Sequence, residues 1–171
     1  RVAVQIEKST MALAVYGAAV ARGAIFLPLN TAYTPAEVAY FVENAQPKLL
    51  LADSSKVEGL RGIAQDNSAR IETLNGDGGG SFASLCATQS DTCEIADRGA
   101  GDLAAFLYTS GTTGRSKGAM LSQDNLLSNA EVLAREWRFG PSDVLLHALP
   151  IFHTHGLFVA TNVALLTGGS M

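Results

Sequence analysis

Through the first 74 residues, short apolar runs of strand type alternate with longer helix-type runs, and the joins between them are only a few residues long. Val2–Ile6 is β-branched and ended by charge, which predicts a strand. Thr10–Arg22 predicts a helix, because Met11, Leu13, Ala14, Val15, Ala18 and Ala19 give it a broad apolar face and Gly23 stands where a helix ends. Ala24–Leu29 predicts a second strand. Thr34, Pro35 and Glu37 then combine a capping hydroxyl, a proline at the first helical position and an acid three residues after the cap, so a helix starts there and runs to about Ala45. Lys48–Ala52 reads as a strand, Ser54–Gln65 as an amphipathic helix and Ile71–Leu74 as a further strand. A parallel pair needs a crossover between its strands, and that crossover is right-handed with the helix lying on the sheet. The order therefore predicts an α/β fold of doubly wound type, a mostly parallel sheet flanked by helices.

The second half departs from this rhythm. Asn75–Ser81 (NGDGGGS) and the polar stretch Thr88–Gly101 read as surface connections. Asp102–Tyr108 is a strand that runs into Thr109–Gly118, and Ala119–Leu121 leaves as another, so this segment predicts a hairpin with a long tip. A helix from about Asp124 to Arg138, stopped by Gly140-Pro141, a strand over Val144–Leu149 and a helix over Gly156–Leu166 complete the expectation.

Composition narrows the function classes. Hydrophobic residues make up 47% of the chain and charged residues 16%, below the roughly 25% usual for folded domains, which excludes a disordered tail. The net charge is −4. With no run of Lys or Arg, no footprint exists for nucleic acid or an anionic membrane surface. The uncharged stretches Ser9–Ala21 and Phe152–Met171 are respectively too short and too interrupted to predict a membrane span. Cys86 and Cys93 have neither metal-site spacing nor a disulfide framework around them, and they read as thiols of a reducing compartment, the cytoplasm.

Chemistry concentrates in Thr109–Gly118, TSGTTGRSKG. Glycines bring backbone N–H groups close to an anion, hydroxyls add donors and a possible metal ligand, and the Lys117 ammonium supplies a compact charge. That combination suits a polyphosphate. It is not a Walker A loop, because Ser116 stands where the second glycine of that motif belongs and Gly118 follows the lysine. Gly99-Ala100-Gly101 resembles a dinucleotide fingerprint in spelling only, since the strand follows the glycines instead of preceding them. His153 and His155 would share a face on extended backbone, yet no Cys or carboxylate joins them at ligand spacing, so hydrogen-bonded histidines are the expectation over zinc. Trp137 and Phe139 read as core residues, and Glu131 with Arg135 as a solvated helix pair.

Tyr108–Gly118 resembles the phosphate-loop signature of the adenylate-forming enzymes, which include acyl-CoA synthetases, luciferases and peptide-synthetase adenylation domains. Ser116 replaces the proline usual in that signature. The resemblance extends to Arg22–Asn30 and to Leu149–Gly156, and the form of Val144–Gly156 is most similar to the malonyl-CoA synthetase branch. It implies ATP-dependent activation of a small-molecule carboxylic acid to an acyl-adenylate, followed by thioester formation with coenzyme A. Thr109, Ser110, Gly111, Thr112, Thr113, Gly114 and Lys117 would bind the ATP phosphates, with Thr112 or its neighbour Thr113 nearest Mg2+. His153 would line the substrate pocket, while His147 and His155 orient or pack. The resemblance further implies that residues 1–171 are part of the N-terminal AMP-binding domain, truncated at both ends, with the C-terminal lid domain and its adenylation lysine beyond Met171. No catalytic residue is then expected within this stretch, and by itself it is expected to show no turnover and to aggregate along an uncovered sheet edge. No obvious arginine for a second carboxylate is present, so the deciding acid-pocket residues are expected later in the chain. Another fatty or aromatic acid ligase, or a nucleotide-binding homologue without chemistry, are the alternatives.

Overall fold

A computed structural model of the chain describes residues 1–109 and 116–171, which belong to two units, Arg1–Asp97 and Arg98–Met171. The first unit follows the predicted alternation: β1 (Val2–Gln5), α1 (Thr10–Ala21), β2 (Phe26–Pro28), α2 (Pro35–Ala45), β3 (Leu49–Ala52), α3 (Val57–Asp66), β4 (Arg70–Thr73) and α4 (Ser81–Cys86). Its strands lie in the order β4-β3-β1-β2 and every pair is parallel. Val4 is in register with Pro28 on one side and with Leu51 on the other. Ala3, Leu27, Leu50, Leu51 and Ala52 are wholly buried, as expected of parallel strands covered on both faces.

Local chemistry sets the element ends. Ser9 accepts the N–H of Ala12 to start α1. At α2 the Thr34 hydroxyl accepts the Glu37 N–H at 3.4 Å while the Glu37 carboxylate accepts the Thr34 N–H at 2.8 Å, the reciprocal cap predicted from the sequence. Helix α3 begins at Val57 and not at Ser54, because Asp53 takes both the N–H and the hydroxyl of Ser55 and its carbonyl accepts the Lys56 N–H, forming a turn. Helix α4 carries no signal in the sequence. This helix buries none of its residues and is held instead by Ser81, whose N–H donates to Thr73 Oγ1 at 2.8 Å and whose hydroxyl donates to Glu72. Gly80 precedes it at φ 123°, where a Cβ would lie 2.3 Å from the Thr73 carbonyl oxygen, so only glycine fits.

These caps carry a pH dependence. Backbone and hydroxyl hydrogen bonds from Thr34 hold the Glu37 carboxyl below its ordinary value. Ser55 does the same for Asp53, and the Ser81 hydroxyl, aided by Arg70, for Glu72. A carboxylate with a lowered folded pKa contributes its stability above the unfolded value of about 4 and loses it as pH falls through the folded value. The thermal midpoint is therefore expected to fall on acidification from about pH 5 to pH 3. The Glu37→Gln/Asp53→Asn/Glu72→Gln variant should show a shallower decline, and equal slopes would remove these groups as the cause.

The second unit contains β5 (Leu103–Thr109), β6 (Lys117–Ser122), α5 (Gln123–Trp137), a π-helical segment (His155–Thr161) and α6 (Asn162–Thr167). β5 and β6 form the predicted antiparallel hairpin. Ser122 ends β6 and caps α5 in a reciprocal pair with Asn125, each side chain accepting the other's N–H at 3.1 Å. Leu126 and Ala130 of α5 are buried, as are Leu157, Phe158, Val163 and Ala164 of the π-helical segment and α6, and α5 packs on both.

Three expectations are corrected here. Val144–Leu149 is not a strand: Val144 forms a single parallel bridge to Ser170, and Val144 and Leu146 are 77% and 90% exposed. A run of β-forming residues becomes a strand only when a neighbour satisfies its backbone, and here one residue does so. Trp137, read as core, is 55% exposed, while Phe139 is half-buried. Arg135 pairs with the adjacent Glu136 at 3.4 Å in place of the expected partner one helical turn away.

Candidate active site

The hairpin builds the first part of the site. Ala104, Ala105 and Phe106 anchor β5 in the core, and exposure rises along the strand to Thr109 at its end. The register pairs Leu107 with Ala119, Tyr108 with Gly118 and Thr109 with Lys117. Side chains alternate faces along a strand, so Thr109 and Lys117 lie on the same face as Leu107 and Ala119, opposite to Tyr108 and Gly118. Cross-strand neighbours hold their Cβ atoms about 5 Å apart. A hydroxyl donor and an ammonium thus stand side by side at the base of the tip, both exposed to solvent. Lys117 is the first residue of β6, so its backbone is fixed by the ladder, where the sequence alone placed it in the loop. The Tyr108 ring lies against Gly118, where a Cβ would come within 3.3 Å of its Cε1. A larger residue there would push the ring aside.

Of the other residues expected at the phosphates, Ser110, Gly111, Thr112, Thr113 and Gly114 lie outside the described residues, and with them the expected metal-side hydroxyl of Thr112. The structure brings together Thr109 and Lys117 from the predicted set.

His153 sits on a separate element, the turn between Pro150 and the π-helical segment. Its N–H donates to the Pro150 carbonyl at 3.4 Å and its carbonyl accepts the Leu157 N–H at 3.0 Å. The imidazole is exposed and lies beside Phe152, with ring centroids 5.9 Å apart. His155 is also exposed, one residue into the helical geometry, so the extended backbone that would put it on the same face as His153 is not formed. His147 turns inward: its Nε2 lies 2.9 Å from the Gly156 carbonyl oxygen and 2.9 Å from Thr161 Oγ1. The sequence pointed to an orienting role for His147 but not to its partners, which are separated from it by a turn and a stretch of π-helix. The glycine directly after His153-Thr154-His155 was the available signal.

Among the described residues no group of three or more His, Cys, Asp or Glu side chains stands ready to hold a metal ion. Both cysteines are free and exposed. No helix among the described residues is long and apolar enough to cross a membrane. A protein that offers a hydroxyl and an ammonium side by side at the base of a glycine-rich tip can bind an anion with several oxygens.

Comparison with known proteins follows the same direction. A family model described as AMP-binding enzyme matches residues 1–171. A CoA ligase of Gibberella moniliformis is 33% identical over 153 residues, which is 86% of this chain and 24% of that protein. The mitochondrial malonate–CoA ligase ACSF3 of Xenopus laevis is 34% identical over 139 residues, 79% of this chain and 23% of that protein. The crystal structure of ATP-bound MatB from Rhodopseudomonas palustris matches with a TM-score of 0.97 and 58% identity, covering 100% of this chain and 34% of that one. The chain thus spans between 23% and 34% of the length of these three proteins.

Proposed function

This chain belongs to the AMP-binding enzyme family, and we propose that in its full-length protein it forms the phosphate-binding part of an ATP-dependent acid–CoA ligase whose acid is malonate. In the first step a carboxylate oxygen of the acid attacks the α-phosphorus of ATP, the bond to the β-phosphate oxygen breaks, and acyl-adenylate and pyrophosphate form. In the second the thiol of coenzyme A attacks the acyl carbon, AMP leaves and the thioester remains. The task of this stretch in the first step is to hold the triphosphate in line and to stabilise the charge that moves onto pyrophosphate.

The observation that carries the reading is the pairing of Thr109 with Lys117, which presents a donor and a cation together at the mouth of the glycine-rich tip. Ser110, Gly111, Thr113 and Gly114 would supply the remaining donors in this reading, and the Thr112 hydroxyl would help to hold Mg2+, which would neutralise phosphate charge. His153 lines the acid pocket. The malonate assignment is supported by the likeness to the Xenopus laevis enzyme and by the spelling of residues 144–156. Residues 1–171 then form part of an N-terminal adenylation domain. Two free thiols favour a reducing compartment, the cytoplasm.

ATP–pyrophosphate exchange by the full-length protein, screened over malonate, methylmalonate, succinate, acetate, octanoate and 4-coumarate, tests this. Malonate-dependent exchange is the expected result. Exchange with a monocarboxylate alone keeps the ligase chemistry and discards malonate; exchange with no acid, alongside retained nucleotide binding, makes the chain part of a non-catalytic homologue.

A further inference from the structure

We propose that His147 is a positioning residue for the acid pocket: it pins the turn that carries His153, and through that turn it sets affinity for the acid and not for ATP. The proposal rests on the reading of His153 as a pocket residue.

Three atoms meet at one point of the π-helical segment. The Thr161 hydroxyl donates to the Gly156 carbonyl at 2.9 Å, and His147 Nε2 stands 2.9 Å from each of the two oxygens. A carbonyl oxygen only accepts, so Nε2 must carry a proton, which it shares between the carbonyl and Oγ1. Gly156 is buried and Thr161 is 1% exposed, while His147 is half-buried, so the two oxygens are shielded from solvent on the helical side. Gly156 and Thr161 are five residues apart, the spacing a π-helix brings into line, and such segments are frequent at functional sites.

From Gly156 the constraint passes to His153 by short covalent and hydrogen-bonded links. On one side Gly156 lies so close to Pro150 that a Cβ would come within 2.1 Å of the Pro150 carbonyl oxygen. That same oxygen accepts the His153 N–H. On the other side Leu157, the next residue, donates to the His153 carbonyl at 3.0 Å. Both hydrogen bonds of the His153 backbone therefore lead to atoms placed by Gly156, and Gly156 is placed by His147 and Thr161. The loop from Val144 to Leu149, being without a strand ladder, gives the turn little support of its own; His147 joins it to the buried helical segment.

The test uses the full-length protein and separates KM for malonate from KM for ATP in the exchange reaction. His147→Ala is expected to raise KM for malonate up to about tenfold, the scale of one hydrogen bond, while KM for ATP moves by less than about twofold. Thr161→Val should act in the same direction. The two together should have less than the product of their separate effects, since they remove one cluster. His147→Gln, whose amide N–H can reach the place of Nε2, should restore most of the affinity. If His147→Ala does not fold, His147→Gln and Thr161→Val decide by the same two constants. An unchanged KM for malonate in an active Thr161→Val and His147→Ala pair, or equal changes for acid and ATP, overturns the positioning role and leaves the ligase reading intact. A wild-type protein that exchanges with no acid overturns the ligase reading, and this proposal with it.

Discussion

Gly156→Ala is expected to cost both stability and exchange activity. The added Cβ would sit 2.1 Å from the Pro150 carbonyl oxygen, 2.8 Å from its carbon and 3.3 Å from the Leu149 carbonyl carbon. All three are backbone atoms, so no side chain can rotate away. The turn must open or the π-helical segment must shift, and either movement breaks the cluster with His147 and Thr161. Overpacking of this kind costs about 1–3 kcal/mol, and the clash with backbone puts it toward the upper end of that range. The measured result should be a thermal midpoint lower by several degrees, together with loss of malonate-dependent exchange. Gly62→Ala is the matching control: nothing lies within 4 Å of its Cβ position inside α3, and replacing a helical glycine there should stabilise by roughly 0.5–1 kcal/mol. A Gly156→Ala protein as stable and active as the parent would show that the Pro150 contact yields freely.

Lys117→Ala should lower the rate of exchange by about 100- to 1000-fold, the scale on which removal of a single preorganised charge-stabilising donor acts. Its stability should change by less than about 0.5 kcal/mol, because Lys117 is exposed and its backbone pairing does not depend on the side chain. Thr109→Val should produce a smaller loss, since it removes a neutral donor and leaves the cation. The informative signature is the split between catalysis and folding: a variant with native unfolding behaviour and unaltered exchange would take Lys117 out of the phosphate site.

The first unit was legible because its signals are local and agree with one another. Apolar runs mark the buried strands, the Thr34-Pro35-Glu37 cap marks the start of α2, and short connections leave the parallel order as the consistent outcome. The hairpin was equally plain, since two apolar runs flank a tip rich in glycine. What escaped was decided by partners distant in sequence. Helix α4 has no apolar periodicity to read and is fixed by Ser81 reaching back to Glu72 and Thr73. Val144–Leu149 has strand composition, but among the described residues its one bridge is from Val144 to Ser170. The cluster of His147, Gly156 and Thr161 depends on a π-helical spacing that neither a 3.6-residue nor a 2-residue period anticipates. Trp137 shows the same limit from the other side, because hydrophobicity names a residue that gains from burial without saying what covers it.

The ladder between β5 and β6 also behaves as a rigid frame for what it encloses. Its last cross-strand pair is Thr109 with Lys117, whose Cβ atoms the ladder holds about 5 Å apart. Sliding one strand by a single position would undo this arrangement. It would set Gly118 opposite Thr109, turn the ammonium to the reverse face and carry Met120 and Leu121 with it. The hairpin therefore forbids variation in register, because the side of the sheet on which the Lys117 ammonium stands depends on it.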